Sequence, residues 1–138
     1  MALSTLILTS VKNYLGIHKE DDSFDEILID NTRMSLLEMT DIGVIDDADG
    51  EPDFSEVTNK TTWEEVMQKL YPKLDSKVKN LLPYVETFIC LSVRLLFDPP
   101  ASKIILQMLK DKKNELVYRL NRHLDKTTWT GGDKNGRD

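Results

Sequence analysis

Residues 81–97 read LLPYVETFICLSVRLLF, and the fold turns on this stretch. Taken as a helix it is apolar on nearly every face, the pattern of a helix surrounded by others. It falls at the bottom of the membrane-spanning range, and Pro83, Glu86 and Arg94 would be costly in lipid. The stretch therefore predicts the central helix of an all-α bundle, with Pro83 tolerated in its first turn. Cys90, between Ile89 and Leu91, reads as a small buried hydrophobe. Arg94 is the discordant residue. A charge on an apolar helix must reach a partner, and Glu86 or an acidic residue of another helix would form a structural ion pair with it.

Working toward the C-terminus, Asp98, Pro99 and Pro100 break the chain. Asp98 suits an N-cap and Pro99 a first helical position. They predict a helix over about 101–123, with Ile105, Met108, Leu109, Leu116 and Leu120 at helical spacing and lysines opposite. Glu115 and Arg119 form an i,i+4 pair, and His123 near the helix end complements the helix dipole. Residues 126–138 have no period and predict a flexible tail.

Toward the N-terminus, Leu6, Ile7, Val11 and Leu15 predict a helix over 4–15 that Gly16 ends. Ser23 and Glu26 have capping-box spacing and predict a helix over 24–39, with Phe24, Ile27, Leu28, Met34 and Leu37 inward. Residues 45–61 are rich in Asp, Gly and Pro and predict a solvated, mobile acidic loop. Thr62 and Glu65 form a second capping box, opening a helix to about Leu70 that Pro72 stops, with a helical turn over 75–79 to follow. The expected architecture is a small bundle of about four to five helices: one domain over 1–125, containing the loop at 45–61, and the tail 126–138.

Composition agrees with one ordinary core. The chain has 138 residues, 40% hydrophobic and 30% charged, and one cysteine, which excludes an internal disulfide framework. The N-terminal MALSTLIL lacks the basic region and cleavage site of a signal peptide, so an intracellular or intravirion protein is expected. The net charge of −6 hides a split. Residues 1–56 hold three basic and fourteen acidic residues, a net of −11, and residues 57–138 hold fifteen and ten, a net of +5. Such asymmetry bears on association.

Sites of chemistry are scarce. Asp47, Asp49 and Glu56 around Gly50 suggest a calcium loop, but Ile45 occupies the first ligand position. His18 and His123 lack second ligands at metal spacing. No phosphate-binding, nucleophile-elbow or zinc-protease motif occurs, so neither an enzyme nor a cofactor is expected. Trp129, in a polar tail, has no folding role and suits a binding anchor.

Two stretches carry a resemblance. Residues 6–17 (LILTSVKNYLGI), followed by an acidic turn and FDEIL at 24–28, resemble the opening of tailed-phage head–tail connector (adaptor) proteins. Residues 94–100 (RLLFDPP), leading into a long helix with Glu115, Arg119 and Leu120, are similar to that family's C-terminal half. The resemblance covers about residues 3–125 and departs from the family in the acidic insertion at 45–60. It implies a virion protein of the phage neck, made in the host cytoplasm. There it forms a homo-oligomeric, dodecameric ring between the portal protein and a stopper or tail-completion protein, with no membrane contact. DNA passes through such a ring without sequence-specific binding. By analogy Arg119, Arg122, His123, Lys126 and Trp129 dock on the portal. Asp21, Asp22, Asp46, Asp47, Asp49 and Glu51 form an inter-subunit or lumen surface, and Ser23, Glu26, Arg94, Asp98, Pro99 and Pro100 are structural. The other expected role is a small phage-encoded interaction module or regulator that binds another protein.

Overall fold

The computed structural model describes residues 3–128 except Asp49 and Leu74, and only the backbone of 125–128. Six helices form among them: α1 (Ile7–Leu15), α2 (Asp25–Asp41), α3 (Trp63–Leu70), the single turn α4 (Ser76–Lys79), α5 (Leu82–Phe97) and α6 (Lys103–Thr128). The all-α expectation holds, and α5 is the centre. Helices α1, α2 and α6 all pack on it, and Val85, Phe88, Ile89, Leu91 and Val93 are buried among them. The stretch Ser76–Phe97 is apolar enough to cross a membrane by length and composition alone. Here its apolar side chains supply the middle of the bundle.

The first helix starts at Ile7, three residues later than expected, because residues 3–6 form a turn and a single antiparallel bridge, Leu6 with Thr62, beside the start of α3. The Ile7 N–H donates to the Thr61 carbonyl at 3.0 Å, and the Trp63 and Glu64 N–H groups donate to the Thr5 and Leu3 carbonyls at 3.0 and 2.9 Å. Backbone groups paired in this way are not available to a first helical turn. Trp63, fully buried, fastens the same corner by donating from its indole N–H to Ser10 Oγ at 2.9 Å. At the other end Gly16 takes φ +77°, the left-handed conformation that closes a helix, and the Ile17 N–H returns to the Lys12 carbonyl at 2.9 Å.

Helix α2 is where the sequence reading fails. Leu28, Ile29, Thr32, Ser35, Leu36 and Met39 are its buried residues. Of the five expected inward only Leu28 is buried. Phe24 is exposed, and Ile27, Met34 and Leu37 are 49%, 56% and 48% exposed. The helix has two apolar faces. The one used inside includes the small hydroxyls of Thr32 and Ser35, which satisfy themselves on the Leu28 and Asn31 carbonyls at 2.8 and 2.9 Å. A hydroxyl paired to its own helix can be buried cheaply, so hydrophobic content alone did not identify the face.

Capping is right in one place and wrong in two. The Thr62–Glu65 box forms with both reciprocal bonds, and Asp75 caps the short α4. Ser23 and Glu26 make no such box. Phe24 is the N-cap without a side-chain bond, and Ser23 instead donates its hydroxyl and N–H to Asp21 in the preceding turn. Asp98 closes α5, donating its N–H to the Arg94 carbonyl at 2.9 Å, and so is not the N-cap of α6. Pro99 and Pro100 lie in the link between the helices. Ser102 holds the start of α6, its hydroxyl accepting from the Ile105 N–H at 3.3 Å. That helix runs to Thr128, five residues beyond the expected end, so residues 126–128 of the segment read as tail are helical.

The acidic loop is anchored where a free, solvated segment was expected. Val44, Ile45, Phe54 and Val57 are buried in the core. The Tyr71 hydroxyl donates to the Val44 carbonyl at 2.8 Å, the Asp46 N–H donates to the Leu70 carbonyl at 2.9 Å, and Arg33 Nε donates to the Val57 carbonyl at 3.1 Å. Apolar residues spaced through the loop tie it down while most of its carboxylates stay outside.

Substitution at α2 separates its two faces. Met39→Ala is expected to lower the unfolding free energy by about 2–5 kcal/mol by opening a cavity. Met34→Ala is expected to change it by less than about 0.5 kcal/mol. Urea denaturation of the two variants measures the difference, and equal losses would place Met34 inside.

Candidate assembly surfaces

Among the described residues no three His, Cys, Asp or Glu side chains are grouped to hold a metal ion. What the fold offers instead is surface. The sequence-derived docking residues divide along α6. Arg119 is exposed and lies 3.8 Å from Glu115. Arg122 is exposed and sits over the Tyr118 ring at 5.8 Å. His123, one position on, points inward instead: it is half-buried and stacks at a tilt on Tyr84 of α5, with ring centroids 5.6 Å apart. Since α6 continues to Thr128, His123 is not at a helix C-terminus and does not cap the dipole as expected. The side chain of Lys126 and all of Trp129 lie outside the described residues.

The acidic residues do not form one surface. Asp21 and Asp22 occupy the exposed turn before α2, whereas Asp46, Asp47 and Glu51 lie beyond its other end, and Asp49 lies outside the described residues. Seventeen helical residues, about 25 Å of rise, stand between the two groups. Hydrogen bonds from the Ser23 hydroxyl and N–H hold the Asp21 carboxyl below its ordinary range. Asp46 accepts from the Ala48 N–H at 3.2 Å.

Sequence reading missed Lys12. It is buried, its Nζ lies 2.6 Å from Asp25 and donates to the Lys19 carbonyl at 3.2 Å. It thus ties the acidic turn to both α1 and α2. The only available signal was its position one residue after the core residue Val11, which is weak. A second missed feature is the outer face of α2, where Ile27, Met34 and Leu37 lie among the exposed carboxylates of Glu26, Asp30 and Asp41.

Arg94 does not pair with Glu86. Eight residues along one helix separate them by about 12 Å, and Arg94 Nε is buried without a hydrogen-bond partner among the described residues. Its guanidinium acts on Tyr14 of α1, whose hydroxyl burial pushes up and Arg94 partly pulls back. Glu86 has its carboxyl pushed up by burial. Cys90 is buried as expected, and burial, with a smaller contribution from Glu86, pushes its thiol from 9.0 up to about 12.

A thiol that titrates higher in the folded state keeps its proton after the unfolded chain has lost it, so stability falls as pH rises from about 9 toward 12. Cys90 is expected to react with a disulfide reagent at pH 8 on the order of a thousandfold more slowly than in urea. Rapid labelling of the native protein would contradict this burial.

Comparison with known proteins bears on these surfaces directly. Neither the curated proteins nor the solved structures gave a match. A family model described as phage connector protein matches residues 7–127, from the first residue of α1 to the last turn of α6. That span takes in all six helices but the last residue of α6. The chain belongs to the phage connector protein family.

Proposed function

We propose that this protein is a ring-forming component of the phage neck that joins the portal to the stopper or tail and extends the DNA channel. The match of the connector family over residues 7–127 carries this reading. The division of charge supports it. The acidic first 56 residues and the basic remainder can complement one another between successive subunits, as a head-to-tail ring requires. Carboxylates of the turn at Asp21 and Asp22 and of the loop at Asp46, Asp47, Asp49 and Glu51 lie at the seam or the lumen, where they repel the DNA backbone and leave it free to slide. The C-terminal half of α6, with Arg119 and Arg122, and the segment beyond it with Lys126 and Trp129, dock on the portal. Long cationic side chains already held over neighbours, as Arg122 is over Tyr118, give such a surface direction at modest entropic cost.

Co-purification with the portal tests this role. The wild-type chain is expected to bind and to dissociate progressively as salt rises. The double variant Arg119→Glu/Arg122→Glu is expected to lose at least about tenfold in portal affinity, since each reversed charge in such a contact costs about 1 kcal/mol or more. Its thermal midpoint should stay within a few degrees of wild type, because both side chains are exposed. A wild-type chain that stays monomeric and ignores the portal at every salt concentration would overturn the proposal.

A further inference from the structure

A cavity of about 200 Å³ opens between α1 and α5, lined by Ser10, Asn13 and Tyr14 of the one helix and Glu86, Thr87 and Cys90 of the other. Burial orders these residues by depth. Ser10 and Cys90 are buried and form the floor, Glu86 and Thr87 are half-buried, and Asn13 and Tyr14 stand exposed at the rim. The floor is already committed, since Ser10 Oγ accepts from the Trp63 indole and burial pushes the Cys90 thiol up to about 12. Above it the Thr87 hydroxyl donates to the Pro83 carbonyl at 2.8 Å, which leaves its oxygen free to accept. The Glu86 carboxyl, the Asn13 amide and the Tyr14 hydroxyl make no hydrogen bond or ion pair among the described residues. Burial raises both Glu86 and Tyr14, so each has lost part of its water without gaining a protein partner. Polar groups that converge on one cavity in this state mark a place for a ligand.

We infer that this cavity binds a primary alkylammonium group, carried by a small free amine or by a lysine side chain of another molecule. Charge fixes the sign of the ligand. Glu86 is the one carboxyl in the lining, and no lysine, arginine or histidine lines the cavity beside it. Arg94 lies two turns further along α5, about 12 Å away, and the charge that does act on Glu86 from within the chain, that of the terminal amino group, is positive. An anion is therefore repelled. A divalent metal ion is excluded by the donor set, because it takes several oxygen ligands with more than one carboxylate among them and the wall has one. An ammonium group has three donors and no acceptor, and the Glu86 carboxylate, the Asn13 amide oxygen and the Thr87 hydroxyl oxygen supply three acceptors. Size sets the rest. Pockets for drug-sized ligands hold roughly 300–1,000 Å³, so this one suits a single side chain or a short amine and not a nucleotide. The Tyr14 ring at the rim gives the alkyl stem an apolar surface on its way in. Neither α6 nor the acidic loop lines the cavity, so the inference is independent of the ring reading.

Titration of the full chain near neutral pH, followed by calorimetry and by amide NMR shifts, tests the site. The probes are n-butylamine for a free amine, Nα-acetyl-lysine methylamide for a lysine side chain, and n-butanol as the uncharged control. Saturable binding of at least one of the two ammonium probes, one per chain, is expected, with the shifts centred on Asn13, Thr87 and Cys90 and with no binding of n-butanol. The ratio of the two affinities identifies the source: tighter binding of the lysine derivative assigns the cavity to a protein partner, and tighter binding of butylamine assigns it to a small amine. Glu86→Gln is expected to weaken binding by at least about tenfold, and Glu64→Gln, on the exposed side of α3, to leave it unchanged. No saturable binding of either ammonium probe would overturn the inference. So would equal losses from the two variants, binding of n-butanol at a similar affinity, or shifts centred away from the cavity. The last readout is taken on the wild-type chain, so it stands even if Glu86→Gln fails to fold.

Discussion

The structure depends on one constraint: α5 is apolar on nearly every face and must be enclosed. From Phe88 to Val93 every residue is buried, so the middle of the helix has no face to give to solvent. Three helices close over it, and the remaining elements hold them in place. The residue 3–6 segment and α3 lock the start of α1 through backbone pairing and the Trp63 indole. Lys12 ties α1 to the turn before α2. Fully burying a large apolar side chain is worth about 1.5–3 kcal/mol. The helix with the most such residues therefore sets where the others lie, and their outward sides become the surface available for assembly.

Much of this was legible from residues whose effect is local. Gly16 ends α1, the Thr62–Glu65 box opens α3, a helical turn falls within 75–79, and the 81–97 run marks the centre. Each acts through its own backbone or its own composition. What failed depended on neighbours. The face of α2 was misread because two faces compete, and contact with α5 selected the one carrying Thr32 and Ser35. Ser23 had the right spacing for a cap, yet Asp21 captured its hydroxyl first. Asp98 was assigned to the helix after it and serves the helix before it. The acidic loop looked free because its charges dominate its composition, while Val44, Ile45, Phe54 and Val57 anchor it.

The candidate surfaces were less legible than the fold. Charge totals were visible in the chain, but their placement was not. Asp21 and Asp46 belong to one acidic segment and come to lie at opposite ends of α2, while Arg122 and His123 are adjacent and face different surroundings. The misreading of α2 also hid the most informative surface. Residues assigned to the core are the ones that the fold leaves outside, in a stripe ringed by carboxylates.

On the ring reading proposed above, α5 is the private core of each subunit, and the outward sides of the helices around it carry the assembly. Electron microscopy of this protein bound to its portal, at a resolution that separates helices, tests it most directly. A closed ring coaxial with the portal is expected, with α5 inside every subunit and the outward sides of the surrounding helices at the boundaries between them. Subunits that bind the portal without touching one another, or a ring whose boundaries run along α5, would contradict it.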